Sequence, residues 1–292
     1  MHKTNGDNYM AQAIDTESRI GFFYTILRKK EDILDDAAEL YILSANQYKL
    51  AKEWELAGKT FYAAAALYEQ TKSHGTKHIC LEGFRCYLNL PQTIENLPLI
   101  QDACLTAIAQ SDSDFQKIGI LYETLADYEY RLGDETNALV SYQNAIKYLE
   151  ADSHSESATK KCILKLAKLY VIIKDYSQAG ILFQKNLEDN IHSTYILNKS
   201  QFLYAFICEL AENDIVSIKK LLDKYILMTS LITKTDEYCF MMALCDAIEK
   251  TNEKRFNNAI VIYTRSNTLD TWCQEILRSV VSKFDMDEND FS

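Results

Sequence analysis

Ala57, Phe61, Ala64 and Tyr68 step along the chain by 4, 3 and 4 residues. Ala138, Tyr142, Ala145 and Leu149 repeat that step 81 residues later. The pattern restarts 41 residues beyond Ala138 with Ala179, Phe183 and Leu187, and midway between the first two copies it is weaker. Spacings of 3 and 4 bring side chains onto one face of an α-helix. Small alanines let a neighbouring helix approach, and the aromatic fills the gap above them. A period of about 40 residues is that of a helix-turn-helix unit stacked on its neighbours.

Composition agrees with this pattern. The 292 residues are 48% hydrophobic, enough for a large core in one or two domains. Only 8 Gly and 2 Pro occur, too few for the Gly-rich turns that alternate strands and helices require. The expected fold is therefore all-α, a tetratricopeptide-like superhelical array of helical hairpins. Arrays of this kind bind other proteins far more often than they catalyse. The expected divisions are a flexible lead over 1–19, an apolar loop over 20–30, the hairpin array over 31–190, a less clearly periodic helical region over 191–284 and an acidic tail over 285–292.

Along the chain, Ala38, Tyr41, Ala45 and Tyr48 predict a helix from about Asp35 to Lys52. Trp54 stands at the following turn, and Gly75 is expected to end the helix carrying Ala57 to Tyr68. Pro98 must interrupt or open a helix. Leu164 to Ile173 and Tyr176 to Leu187 form another predicted pair, and a last helix runs from about Leu269 to Lys283.

No run of about 18 apolar residues occurs, so no transmembrane helix is expected. Residues 1–19 are polar and lack the apolar stretch of a secretory signal. Eight Cys are present without a CxxC pair, mostly within apolar helical runs. They read as buried free thiols of a reducing, cytoplasmic compartment. A net charge of -11 argues against general nucleic-acid binding.

Catalytic signatures are missing from the sequence. His74 and His78 are four apart with Cys80 beyond, but Gly75 intervenes and no second ligand pair follows, so a solvated turn is the better reading. There is no Walker-type loop, no GxSxG elbow and no HExxH. Acid pairs such as Glu123 and Asp127 are common on helix surfaces, and nothing identifies a general acid–base pair. The chain is expected to be no enzyme and to need no metal or cofactor.

Three features carry more information. Phe22, Phe23, Ile26 and Leu27 precede Arg28, Lys29 and Lys30. They read either as a face packed on the first repeat or as a loop dipping into an anionic membrane surface. Lys161, Lys165 and Lys168 step by 4 and 3 and share a helix face, with Lys160 beside them. They form either a solvated face or a docking stripe for an acidic partner. Asp287, Glu288, Asp290 and Phe291 end the chain, either as a frayed terminus or as a peptide that plugs a basic, pocketed partner.

In their order along the chain these features resemble the soluble NSF attachment proteins, the SNAP family, and most of all its alpha and beta branch. The segment Ser18 to Leu27, with GFFYTIL, matches in place the family's Phe-Phe loop. Residues 37–41, 51–54 and 57–61 resemble its first helix pair, and Ala158 to Ala167 its Lys-Cys-Leu-Leu-Lys segment. Leu269-Asp270-Thr271-Trp272 matches the Leu-Asp-x-Trp that opens its last helix. The likeness covers about residues 18–292.

The resemblance implies a hairpin array capped by a C-terminal helical bundle over 191–284, and an adaptor peripherally associated with membranes from the cytoplasm. Such adaptors wrap the four-helix bundle of assembled syntaxin-like and related SNAREs and engage NSF, a hexameric AAA+ ATPase that pulls the bundle apart. It implies SNARE contact at Lys117, Lys161, Lys165 and Lys168, and membrane contact at Phe22, Phe23, Ile26 and Leu27. NSF contact is implied at Asp287, Glu288, Asp290 and Phe291. Three departures stand out. Phe291 occupies the family's penultimate leucine, and Ile120, with Lys117 nearby, occupies a basic position. Gln92 to Ala109, with Pro98, differs from the family's Ala-rich second repeat. The alternatives are a SNAP-like homologue that binds SNAREs without productive NSF coupling, or a generic helical-repeat scaffold.

Overall fold

The computed structural model describes residues 1–19, 29–73, 75–189, 199–212 and 215–289, with side chains omitted at 189, 215 and 283–289. Among the described residues the regular structure is all helical. They divide into two compact units, Met1–Ser155 and Glu156–Ser292. That boundary falls at a turn between two helices.

The first unit holds α1 (His2–Ser18), α2 (Lys30–Leu50), α3 (Trp54–Thr71), α4 (Thr76–Tyr87), α5 (Leu97–Ala109), α6 (Phe115–Arg131) and α7 (Glu135–Ala151). Each helix packs on the next. The repeated strides supply the seams. Ala38, Tyr41, Ala45 and Tyr48 on α2 are buried, as are Ala57, Phe61 and Ala64 on α3 and Ala138, Tyr142, Ala145 and Leu149 on α7.

The seam between α3 and α4 is built reciprocally. A Cβ on Gly58 would lie 2.3 Å from the Tyr87 ring, and one on Gly83 would lie 2.8 Å from the Tyr62 ring. Each glycine makes room for the other helix's tyrosine, and the two rings stack at 5.8 Å. The Tyr62 hydroxyl lies 3.2 Å from the Cys80 carbonyl oxygen and 2.9 Å from that of Ala103. One side chain thus ties α3 to both α4 and α5.

Residues 1–19, expected to be a disordered or partly helical lead, are almost wholly helical. Gly6 and Ala13 of α1 are buried against α2. The Ser44 hydroxyl donates to the Gly6 carbonyl at 2.8 Å, Tyr48 to the Asp7 carboxylate at 2.8 Å and Tyr41 to Glu17 at 3.1 Å. One local boundary also differs from expectation. Helix α3 stops at Lys72, which adopts a left-handed φ of 56°, while Gly75 precedes α4. Pro98 opens α5 within its first turn, where its missing N–H costs nothing.

The second unit holds α8 (Glu156–Ile172), α9 (Tyr176–Asp189), α10 (Lys199–Ala211), α11 (Ile215–Met228), α12 (Asp236–Glu249), α13 (Glu253–Thr264) and α14 (Thr271–Asn289). Helices α8, α9 and α10 pack in succession. Helix α10 then meets α11, α12 and α14, which makes it the centre of a bundle. Its Phe202, Leu203, Ala205, Phe206, Ile207, Cys208 and Leu210 are all buried, as a helix surrounded on most sides requires. Ala179, Phe183 and Leu187 of α9 belong to the same core.

Seven of the eight cysteines are buried and all eight are free thiols; Cys239, on α12, is exposed. Burial pushes the thiols of Cys80 and Cys86 up to about 11 and those of Cys104 and Cys208 up to about 12.

Candidate partner-binding surfaces

Helix α8 buries Thr159, Cys162, Ile163, Leu166, Ala167, Leu169 and Val171. That single apolar stripe forces the remaining positions outward. Lys161 and Lys168 are exposed, and Lys165 is half-buried on the same side. Lys160 differs: its ammonium closes on Glu156 one turn earlier at 2.5 Å and only 18% of its side chain is accessible. The hydrogen bond and charge of Lys160 hold the Glu156 carboxyl below the usual carboxylate range. Among the described residues Lys161 and Lys168 have no ion-pair partner. The structure therefore places three of the clustered lysines on one face and withdraws the fourth into a local pair.

Lys117 lies in the other unit, in the first turn of α6, and is half-buried. Its backbone N–H donates to the Asp114 side chain at 3.1 Å, the capping bond that starts the helix. Asp114 also lies 3.6 Å from the Lys77 ammonium. On the outer side of α6, Ile120 is 46% exposed, so the one-turn neighbour of Lys117 is apolar. Tyr122 stacks on Tyr148 of α7 at 5.7 Å, and Phe115 lies 6.2 Å from the same ring.

The motif Leu269-Asp270-Thr271-Trp272 has a structural role that its spacing did not announce. Leu269 is buried, Asp270 accepts a hydrogen bond from the Tyr204 hydroxyl at 2.8 Å, and Trp272 lies 5.4 Å from the Tyr204 ring. The motif pins the start of α14 to α10 across 66 residues of chain. A second anchor that sequence reasoning missed is Glu237 on α12. It is almost completely buried and held by Lys199 at 2.9 Å, with Tyr263 donating at 3.4 Å. An acid two positions after a threonine gives no sign of such burial.

Phe22, Phe23, Ile26 and Leu27 lie outside the described residues, as do His74, Asp290 and Phe291. Asp287 and Glu288 fall within the span of α14, with their side chains outside the description. No helix among the described residues is long and apolar enough to cross a membrane.

The family model described as "Soluble NSF attachment protein, SNAP" matches residues 4–285. The chain belongs to the soluble NSF attachment protein family. A vesicular-fusion protein sec17 homolog of Neurospora crassa is 26% identical over 268 residues, 90% of each chain. The beta-soluble NSF attachment protein of Bos taurus is 28% identical over 253 residues, covering 84% of this chain and 82% of that one. Among solved structures, a signal-transduction ATPase with a tetratricopeptide repeat sensor from Pyrococcus horikoshii matches with a TM-score of 0.45 and 15% identity. That match covers 89% of this chain and 42% of the other.

Proposed function

We propose that this SNAP-family chain is a non-enzymatic adaptor of vesicle fusion and membrane traffic that binds assembled SNARE bundles and recruits and stimulates the ATPase NSF. The observation that carries this reading, beside family membership, is the outward lysine stripe of α8. An acidic protein of net charge -11 that concentrates basic groups on one helix face is suited to a partner of opposite sign. Lys161, Lys165 and Lys168 are proposed to meet carboxylates on the SNARE bundle, with Lys117 contributing from α6. Asp287, Glu288, Asp290 and Phe291 are proposed to engage NSF. Phe22, Phe23, Ile26 and Leu27 are proposed to touch the bilayer at its cytoplasmic face, raising the adaptor's local concentration on membrane-anchored SNAREs.

The test is disassembly of a SNARE complex in liposomes by purified NSF and ATP, with and without this protein. Disassembly that requires the protein supports the adaptor role. In parallel, Lys161→Glu with Lys165→Glu is expected to weaken binding to the SNARE bundle by about 100-fold or more, since two attractions become repulsions. Unchanged binding in the double variant removes this face from the proposal.

A further inference from the structure

The lysine stripe of α8 does not end in a charge. Continuing the steps of 4 and 3 from Lys161 through Lys165 and Lys168 leads four residues on to Ile172, which closes the helix. Ile172 is 44% exposed, in a helix whose other aliphatic residues are buried or half-buried. The four side chains span about 17 Å of one helix face. Lysine stems are themselves apolar, so this face is a hydrocarbon strip with ammonium groups along it and a bare aliphatic end.

We infer that Ile172 is a contact residue of the same surface, an apolar anchor for a helical partner that carries carboxylates followed, about one turn on, by an aliphatic side chain. This rests on the SNARE reading of the stripe and adds a specificity element to it. The occupant is an acidic helical bundle, because the exposed Lys161 and Lys168 have no ion-pair partner among the described residues whereas Lys160 is neutralised by Glu156. Lysines alone would accept any acidic surface and would release it in salt. An aliphatic end gives a component that salt does not screen, and it selects for a partner with an apolar side chain in register.

The experiment measures binding of the full chain to a purified, fluorescently labelled SNARE four-helix bundle at about 50 mM and 500 mM salt, bracketing strong and weak screening. Ile172→Ser is expected to lower affinity about fivefold at both salt concentrations and to leave the salt dependence unchanged. Ile172→Met, which keeps the apolar bulk, should bind as the parent chain does. Lys161→Gln with Lys165→Gln should instead flatten the salt dependence. Thermal unfolding of each variant checks that an exposed substitution has left the fold intact. If Ile172→Ser binds like the parent while the lysine variant fails, Ile172 is no contact and the SNARE reading stands. A loss confined to low salt also overturns the inference. If the parent chain does not bind the bundle at either salt, the SNARE reading falls and this inference with it.

Discussion

At Glu129, on α6, a carboxyl group sits 1% exposed. Gln101 of α5 donates to one oxygen at 2.8 Å, and the other oxygen has no hydrogen-bond partner among the described residues. Burial pushes this acid above the usual carboxylate range, against the pull of the Gln101 amide. For an acid raised in the folded state, the neutral form is the one the fold favours. Its contribution is complete below the ordinary glutamate value of about 4.3 and is lost as pH climbs through the raised value. Glu129→Gln keeps the shape and stays neutral at every pH. It is expected to stabilise the chain by about 1 kcal/mol near pH 7.5, with the gain shrinking toward pH 4.5. Thermal unfolding of both proteins across that range checks this. A constant difference at all pH values would mean that the carboxyl does not titrate with folding. Residues of this kind are illegible in sequence, since Glu129 stands in a helix rich in acids and only the packing of α5 and α7 removes it from water.

Helices differ in how plainly their sequences declare them. Ala57, Phe61 and Ala64 could be read because large and small apolar residues recur at 3 and 4, and all three are buried. Helix α1 could not, because the residues it buries are Gly6 and Ala13, too small and too far apart to make a hydrophobic stripe. Its attachment comes instead from tyrosine and serine hydroxyls on α2 reaching its backbone and carboxylates. Removing residues 1–19 would uncover Tyr41, Ser44 and Tyr48 on α2. It is expected to lower the unfolding temperature by several degrees, as loss of about 2 kcal/mol does in a unit of this size. A dispensable lead would leave that temperature unchanged, so one calorimetric scan of the truncated chain separates the two. The lysine face of α8 was legible through the same arithmetic of 4 and 3. The Glu156–Lys160 pair was too, in principle, as an i, i+4 couple. The link from Tyr204 to Asp270 was not, because nothing local joins positions 66 apart.

For the molecule as a whole, the proposed work is divided along the chain. Binding is assigned to the lysine face of α8 together with Lys117 of α6, and coupling to NSF to the terminal residues. Such a division makes the two activities separable by mutation. Phe291→Ala is expected to leave SNARE binding within about twofold of the parent, since rim or remote positions change affinity little. It should lower stimulation of NSF ATPase activity several-fold. Titrating the variant against NSF and SNARE complex reads both quantities in one series. Stimulation equal to the parent would show that the terminal aromatic does not couple binding to ATP hydrolysis. If Phe291→Leu raised stimulation above the parent, coupling would depend on the shape of that side chain.

The cysteines have a practical consequence. Seven thiols are shut inside the two units while Cys239 faces water from α12, beside a cavity of about 250 Å³ lined by Phe240, Ala243, Ile262 and Tyr263. A maleimide dye added to the native chain will therefore label one position without any engineered substitution. The other thiols become available only as their helices part. The same protein thus carries a built-in handle for fluorescence on its second unit and a chemical counter for its own unfolding.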